Sequence, residues 1–303
     1  MAFDHVLVPL DGSGFAEQAI AHAGRIARAF DCRVTLLQVL NGEHRRSGTG
    51  SKSIDWRLCC TQAESYLKSL ADDPRLADTQ VEIRLTEGRP SDQIADFIRK
   101  HSVNLVIMTA WGAGAETEFP FGGTAHKVLV STGVSYLIVR NGARSADAAA
   151  YKRILVPLDG SHKAELAAHV AIALDVEQRA EIRLYHVICE PIMPRRRPLT
   201  QAEISLRDQL IECNRRAAVG YLDQLREQFG NEHDVEIRID CSKLPLESIA
   251  DVCRRDKPDL MVMRAHGGSE LNGWSGESIL QSVLAKVDTP VLALQDGFGV
   301  HEQ

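Results

Sequence analysis

His5-Val-Leu-Val-Pro-Leu-Asp-Gly-Ser13 returns as Arg153-Ile-Leu-Val-Pro-Leu-Asp-Gly-Ser161, 148 positions later. In each copy an unbroken apolar run ends in a proline and then an Asp-Gly-Ser turn. A strand that is apolar throughout, rather than on alternate residues, is covered on both faces, as in a parallel sheet. Working outward, Val34-Thr-Leu-Leu-Gln-Val39 returns as Ile182-Arg-Leu-Tyr-His-Val187, again 148 later. Val81-Glu-Ile-Arg-Leu85 returns as Val235-Glu-Ile-Arg-Ile239 after 154 positions. Leu105-Val-Ile-Met108 and Tyr136-Leu-Ile-Val139 return as Leu260-Met-Val-Met263 and Val291-Leu-Ala-Leu294, both after 155. Five segments in one order, at nearly constant offset, mark a duplication whose period is domain-sized rather than that of a solenoid.

Between these runs the apolar period lengthens. Ala16, Ile20, Ala23, Ile26 and Ala27 recur at three- and four-residue steps, as do Ile94, Ala95 and Ile98 beside Phe97; this is the pattern of helices with a buried face. Each half therefore reads β-α-β-α-β-α-β-α-β. This alternation implies parallel strands joined by helical crossovers, giving an α/β chain of two doubly wound domains. We expect the first domain over residues 1–141, a small-residue linker over 142–151, the second domain over 152–296 and a tail over 297–303.

The composition bounds the function. Of 303 residues, 44% are hydrophobic and the net charge is −6. That suffices for two cores and gives no general electrostatic case for nucleic acid or a membrane surface. Met1 to Leu10 has no basic start and no long apolar stretch, so it does not read as a signal peptide. No apolar run reaches the roughly 18 residues that suggest a membrane-spanning helix. Seven cysteines, odd in number and with no CxxC, read as reduced, mostly buried thiols in a cytoplasmic protein. The Gly42–Ser53 and Glu190–Pro198 connections, basic at Arg45-Arg46 and Arg195-Arg-Arg197, read as surface loops, with a lid over an anion as the alternative.

In open parallel sheets, ligands bind beyond the carboxyl ends of the strands. Asp11 and Asp159 stand there. Each is either part of a plain turn and helix cap or a carboxylate for a sugar hydroxyl or amino group. After the fourth run comes Thr109-Ala-Trp111-Gly112, then Gly122-Gly123-Thr124-Ala-His126-Lys127 opening a helix. Glycines at a helix N-terminus present bare amides at the positive end of the dipole, which suits phosphate. No GxxxxGK[ST] occurs, and Gly112-Ala-Gly114 is followed by Thr117 rather than a third glycine. A P-loop hydrolase and a dinucleotide dehydrogenase are therefore both disfavoured. His126 with Lys127 reads as a surface pair, and Trp111 as either a pocket wall or a stacking surface. His22, His169 and His186 are isolated, and no metal site is expected.

The Leu-Val-Pro-Leu-Asp-Gly-Ser turn, Gly88-Arg89-Pro90 before a helix, the Leu105–Met108 run and the glycine loop into a helix together resemble the universal stress protein (UspA) family, over nearly the whole chain. The resemblance implies five parallel strands per domain with helices on both faces (the adenine nucleotide α-hydrolase-like fold). It also implies that the two domains pair as a pseudo-dimer through their fifth strands, with a homodimer of the tandem chain as a further option. Its nucleotide-binding branch holds ATP with G-x2-G-x9-G-[S/T]. By position this implies contacts from Pro9, Asp11 and Val39. The glycine motif falls on Thr109, Gly112 and Gly122, with Gly123 at the hydroxyl position and Thr124 next to it. Thr109 and Gly123 depart from the motif. The second copy keeps Pro157, Asp159 and Val187, but has Arg264 and Glu277 at two glycine positions, so it is expected not to bind ATP in that manner. Lys243 replaces the glycine of its GxP, although Pro245 remains. The resemblance thus leads us to expect a stress-response regulatory protein binding an adenine nucleotide in the first domain as a switch. It would have regulatory protein partners and little or no catalysis: at most a weak ATPase, with Asp11 the one carboxylate at hand for Mg²⁺. The alternative is a nucleotide-free scaffold acting through its dimer surface.

Overall fold

The computed structural model describes residues 3–41, 51–111, 122–140, 150–176, 179–191, 198–265 and 276–295, with backbone alone at 51–55 and 276–279. In the first repeat the chain runs β1 (His5–Leu10), α1 (Gln18–Phe30), β2 (Arg33–Leu40), α2 (Ser51–Ala71), β3 (Val81–Glu87), α3 (Pro90–Lys100), β4 (Leu105–Thr109), α4 (Gly123–Ser131) and β5 (Ser135–Val139). The second repeat gives β6 (Arg153–Leu158), α5 (Glu165–Leu174), β7 (Glu181–Cys189), α6 (Gln201–Gln228), β8 (Asp234–Ser242), α7 (Pro245–Asp256), β9 (Leu260–Arg264), α8 (Gly276–Lys286) and β10 (Val291–Leu294). This is the alternation read from the two periodicities.

Two compact units result: residues 1–150 with 290–303, and residues 151–289. In the first, the strands lie in the order β3-β2-β1-β4-β5 and pair in parallel. β10 then pairs antiparallel with β5, with Leu292 opposite Leu137. In the second, the order is β8-β7-β6-β9, also parallel. In both units the first strand of the repeat lies between the second and the fourth, so the strand order reverses beside it. That reversal opens a crevice at the carboxyl ends.

Burial follows the apolar runs. β4 and β5 are buried at every residue, as is β10. The outer strands β3 and β8 are only partly covered. α1 is buried nearly all round, and Gly24 lets it press on the short turn at Pro74–Leu76: a Cβ there would overlap the Arg75 carbonyl. α3 begins at Pro90, whose missing N–H costs nothing at a first helical position, after Gly88 at φ +140°.

The cysteines differ from expectation. All seven thiols are free, but only Cys32 and Cys253 are buried, while Cys59 and Cys213 are exposed. The reason is that no residue of α6 from 201 to 217 is buried, and the described start of α2 is likewise mostly open. Burial pushes both Cys32 and Cys253 up to about 12, so these two stay protonated and inert.

Candidate functional site

In each repeat the strand-one turn is built the same way. Asp11 Oδ1 accepts the Ser13 amide at 3.0 Å and the Ser13 hydroxyl at 2.6 Å, while Ser13 Oγ accepts the Ala16 amide at 3.2 Å. Asp159 Oδ1 accepts the Ser161 amide at 2.9 Å, and Ser161 Oγ accepts the Ala164 amide at 3.3 Å. The glycine between them has φ +82° in both copies, a left-handed conformation that lets the carboxylate fold back over its own backbone. The sequence left two readings open, turn or ligand carboxylate. The turn role is met by Oδ1 in both copies.

Pro9 and Asp11 stand at the end of β1, and Val39 near the end of β2, one strand away. Thr109 closes β4 on the other side of β1. It is buried, and its hydroxyl donates to the Trp111 carbonyl at 2.9 Å. Ala110 then ties both ends of the following loop: its amide donates to Val139 O at 2.7 Å, and its carbonyl accepts the Gly122 amide at 2.6 Å. Gly122 is thus an N-cap whose own amide is taken, not bare as expected. Its Cβ would come within 3.3 Å of Ala110 O, a close approach that favours glycine. Gly123 and Thr124 are exposed in the first turn of α4, and Gly122 supplies no side-chain cap. Any amides this helix offers to an anion therefore begin at Gly123. Gly112 lies outside the described residues, as does the side chain of Glu277.

One cavity lies in the second repeat. About 560 Å³ opens at the carboxyl ends of β6, β7 and β9. Pro157, Asp159 and Gly160 of the first strand and turn line it, with Val187 on β7. α6 contributes Asn214, Ala217, Ala218 and Tyr221, and α7 contributes Pro245 and Ile249. Met263 and Arg264 close it from β9. His186, also lining it, donates from Nδ1 to Leu158 O at 2.8 Å, which leaves Nε2 as the acceptor in the neutral ring. Tyr185 donates to Asp240 at 2.8 Å. Among the described residues there is no cluster that could hold a metal ion, and no helix long and apolar enough to cross a membrane.

One feature of this wall was missed by the sequence reading. The Tyr221 hydroxyl is buried beside Glu165, and burial, then the Glu165 and Asp159 carboxylates, pushes the phenol well above its usual range. The first repeat repeats this with Tyr66, pushed up by burial and by Glu17 and Asp11. The signal was available: Tyr66 and Tyr221 are 155 positions apart and Glu17 and Glu165 are 148 apart, so both residue types survive in both copies.

A family model described as the Universal stress protein family matches residues 2–140 and again residues 150–295. A universal stress protein of Methanocaldococcus jannaschii is 23% identical over 140 residues, covering 46% of this chain and 82% of that protein. Among solved structures, a universal stress protein from Archaeoglobus fulgidus superposes with a TM-score of 0.62 at 16% identity, covering 99% of this chain and 98% of its own. A protein of unknown function from Pseudomonas aeruginosa PAO1 gives 0.63 at 16% identity, covering 98% and 94%.

Proposed function

The chain belongs to the universal stress protein family, and from that premise we propose that it binds an adenine nucleotide or nucleoside as a regulatory ligand in the cytosol, with little or no turnover. The observation that carries this reading is the cavity of about 560 Å³ at the strand carboxyl ends. Its size is that of a small-molecule site. Its walls hold Pro157, Asp159 and Val187, the second-repeat counterparts of Pro9, Asp11 and Val39. In the first repeat the phosphate-bearing end of the ligand falls to the start of α4, where Gly123 and Thr124 are exposed. To that site we assign Pro9, Asp11, Val39, Thr109, Gly112 and Gly122 by their positions in the sequence. We assign to this first domain a switch that is set by nucleotide binding and read out by a protein partner.

A second reading has its own support. Thr109 is buried with its hydroxyl bonded to the Trp111 carbonyl, and the Gly122 amide is consumed by Ala110. Both favour a first repeat that serves as a scaffold without nucleotide. Calorimetric titration of the full chain with ATP, AMP and adenosine separates the two. Saturable binding of at least one ligand supports the nucleotide reading. Heats of dilution alone for all three would leave the scaffold.

A further inference from the structure

We infer that the outer edge of β3 is an interface through which two copies of this chain pair, strand against antiparallel strand, in one register centred on Ile83.

The edge is open and its backbone groups point outward. β3 is the end strand of its unit: β2 pairs with it in parallel on one side, and among the described residues no strand lies on the other. The Val34 amide donates to the Gln80 carbonyl at 2.8 Å, and the Gly88 amide to the Leu40 carbonyl at 3.0 Å. Val34 stands opposite Val81 and Leu40 opposite Glu87, so these two bonds fix the phase of the ladder from end to end. The even-numbered residues turn their N–H and C=O groups to β2. Val81, Ile83, Leu85 and Glu87 turn theirs away. A row of such groups is a template for another strand. Val81, Ile83 and Leu85 also share one face of the sheet and are only partly covered, which leaves apolar surface for a partner to bury.

The charges select the partner and the register. Two β3 edges can form an antiparallel ladder only if their outward-turned residues lie opposite one another. Centring on Ile83 meets that condition: it sets Ile83 against Ile83 and Val81 against Leu85 of the second copy, each pair exchanging both backbone bonds. It also sets Glu82 against Arg84 of the second copy, and Arg84 against Glu82, at the non-hydrogen-bonded positions where side chains approach most closely. Moving the centre to residue 82 sets glutamate on glutamate, and moving it to residue 84 sets arginine on arginine. Both are unfavourable. In the single chain, Arg84 bonds Glu82 of its own strand at 3.2 Å, with the two side chains 52% and 40% exposed. Both charges are therefore within reach of a second copy. A pair formed in this way is two-fold symmetric, so it closes as a dimer.

The matching edge of the second unit is the contrast. β8 repeats Val-Glu-Ile-Arg at 235–238 and is also an end strand, in the same phase, since the Glu190 amide donates to the Ser242 carbonyl at 3.1 Å. Its charges are committed within the chain. Glu236 is held by Arg183 at 2.8 Å, and Arg238 by Asp240 at 3.3 Å and Asp256 at 3.5 Å. Pairing β8 with itself about Ile237 would also set Asp234 against Asp240. β3 has Gln80 and Thr86 at those two places.

Sedimentation equilibrium of the full chain tests the pairing, with wild type, Glu82→Arg, Arg84→Glu and the double swap Glu82→Arg/Arg84→Glu. Circular dichroism checks that each variant is folded. Wild type is expected to dimerise reversibly. Each single substitution sets like charges opposite and should raise the dimer Kd about tenfold. An equal mixture of the two single variants places arginines on one copy against glutamates on the other, and should recover the wild-type Kd to within about threefold. The double swap should recover it as well. A wild-type chain that stays monomeric overturns the inference. So does a dimer whose Kd the single substitutions leave unchanged, or a mixture that pairs no better than its components. Growth past the dimer would mean that β3 pairs with a different edge, and overturns it too.

Discussion

Gly24 sits where α1 meets the backbone of the Pro74–Leu76 turn, and a single methyl there collides with the Arg75 carbonyl rather than with a movable side chain. Gly24→Ala is expected to cost on the order of 1–3 kcal/mol, seen as a lower urea midpoint at unchanged slope. An unchanged midpoint would mean that α1 does not press on the turn. His22, two residues before it, is fully buried, and burial, then Arg25, lowers it from 6.5 to about 3. Burial, followed by Arg33, also lowers His5, although its bond to the His101 carbonyl opposes this. The unfolded chain therefore binds protons at these sites before the folded one does. Their contribution is present in full above pH 6.5 and is lost as pH falls from there toward about 3. Urea stability should drop by about 1.4 kcal/mol per pH unit for His22 alone over that range. His22→Leu should remove about one proton from the slope, and an unchanged slope would contradict the assignment. None of this was legible in the sequence, where His22 is an isolated histidine. Its burial comes from α1 being covered nearly all round, which a one-faced apolar pattern does not announce.

At the scale of elements, the strands were the legible part. β1, β4, β5 and β10 are apolar runs because both faces are covered, and the sequence carries that directly. The site was less legible because it depends on where polar atoms spend their hydrogen bonds. Spacing put Gly122 on the motif, but only the fold gives its amide to Ala110. Spacing also put Glu277 on a glycine position and so discounted the second repeat. The cavity there depends on how α6 lies across β7, which no motif records. α6 itself starts with a capping box: the Thr200 amide donates to Glu203 at 2.9 Å, and the Glu203 amide to the Thr200 hydroxyl at 3.4 Å. Thr200→Ala removes about 1 kcal/mol of local capping. Since no residue of 201–217 is fully buried, that loss should appear as faster amide exchange in the first turns of α6 and leave the exchange of β6 and β7 unchanged. Uniformly faster exchange across the unit would show that the cap is coupled to the core.

For the whole molecule, the last strand of the chain belongs with the first unit. β10 covers the edge of β5 by antiparallel pairing, and the Gln295 amide donates to the Ser135 hydroxyl at 3.2 Å. A chain stopped at residue 150 keeps β5, buried at all five positions, without that cover. An open apolar edge strand pairs with another, so the truncated chain should dimerise or aggregate in size exclusion with light scattering. A monodisperse monomer would mean that β5 does not need its partner strand. The proposed ligand, by contrast, is assigned to the carboxyl ends of the strands, and that proposal stands on the second-repeat cavity being a true site. The most direct measurement is the electron density of crystals of the full chain grown with adenosine. The account predicts a ring between Val187 and Met263 with a hydroxyl on Asp159 beside Tyr221. A cavity holding water alone at saturating adenosine, or filled by side chains, would contradict it.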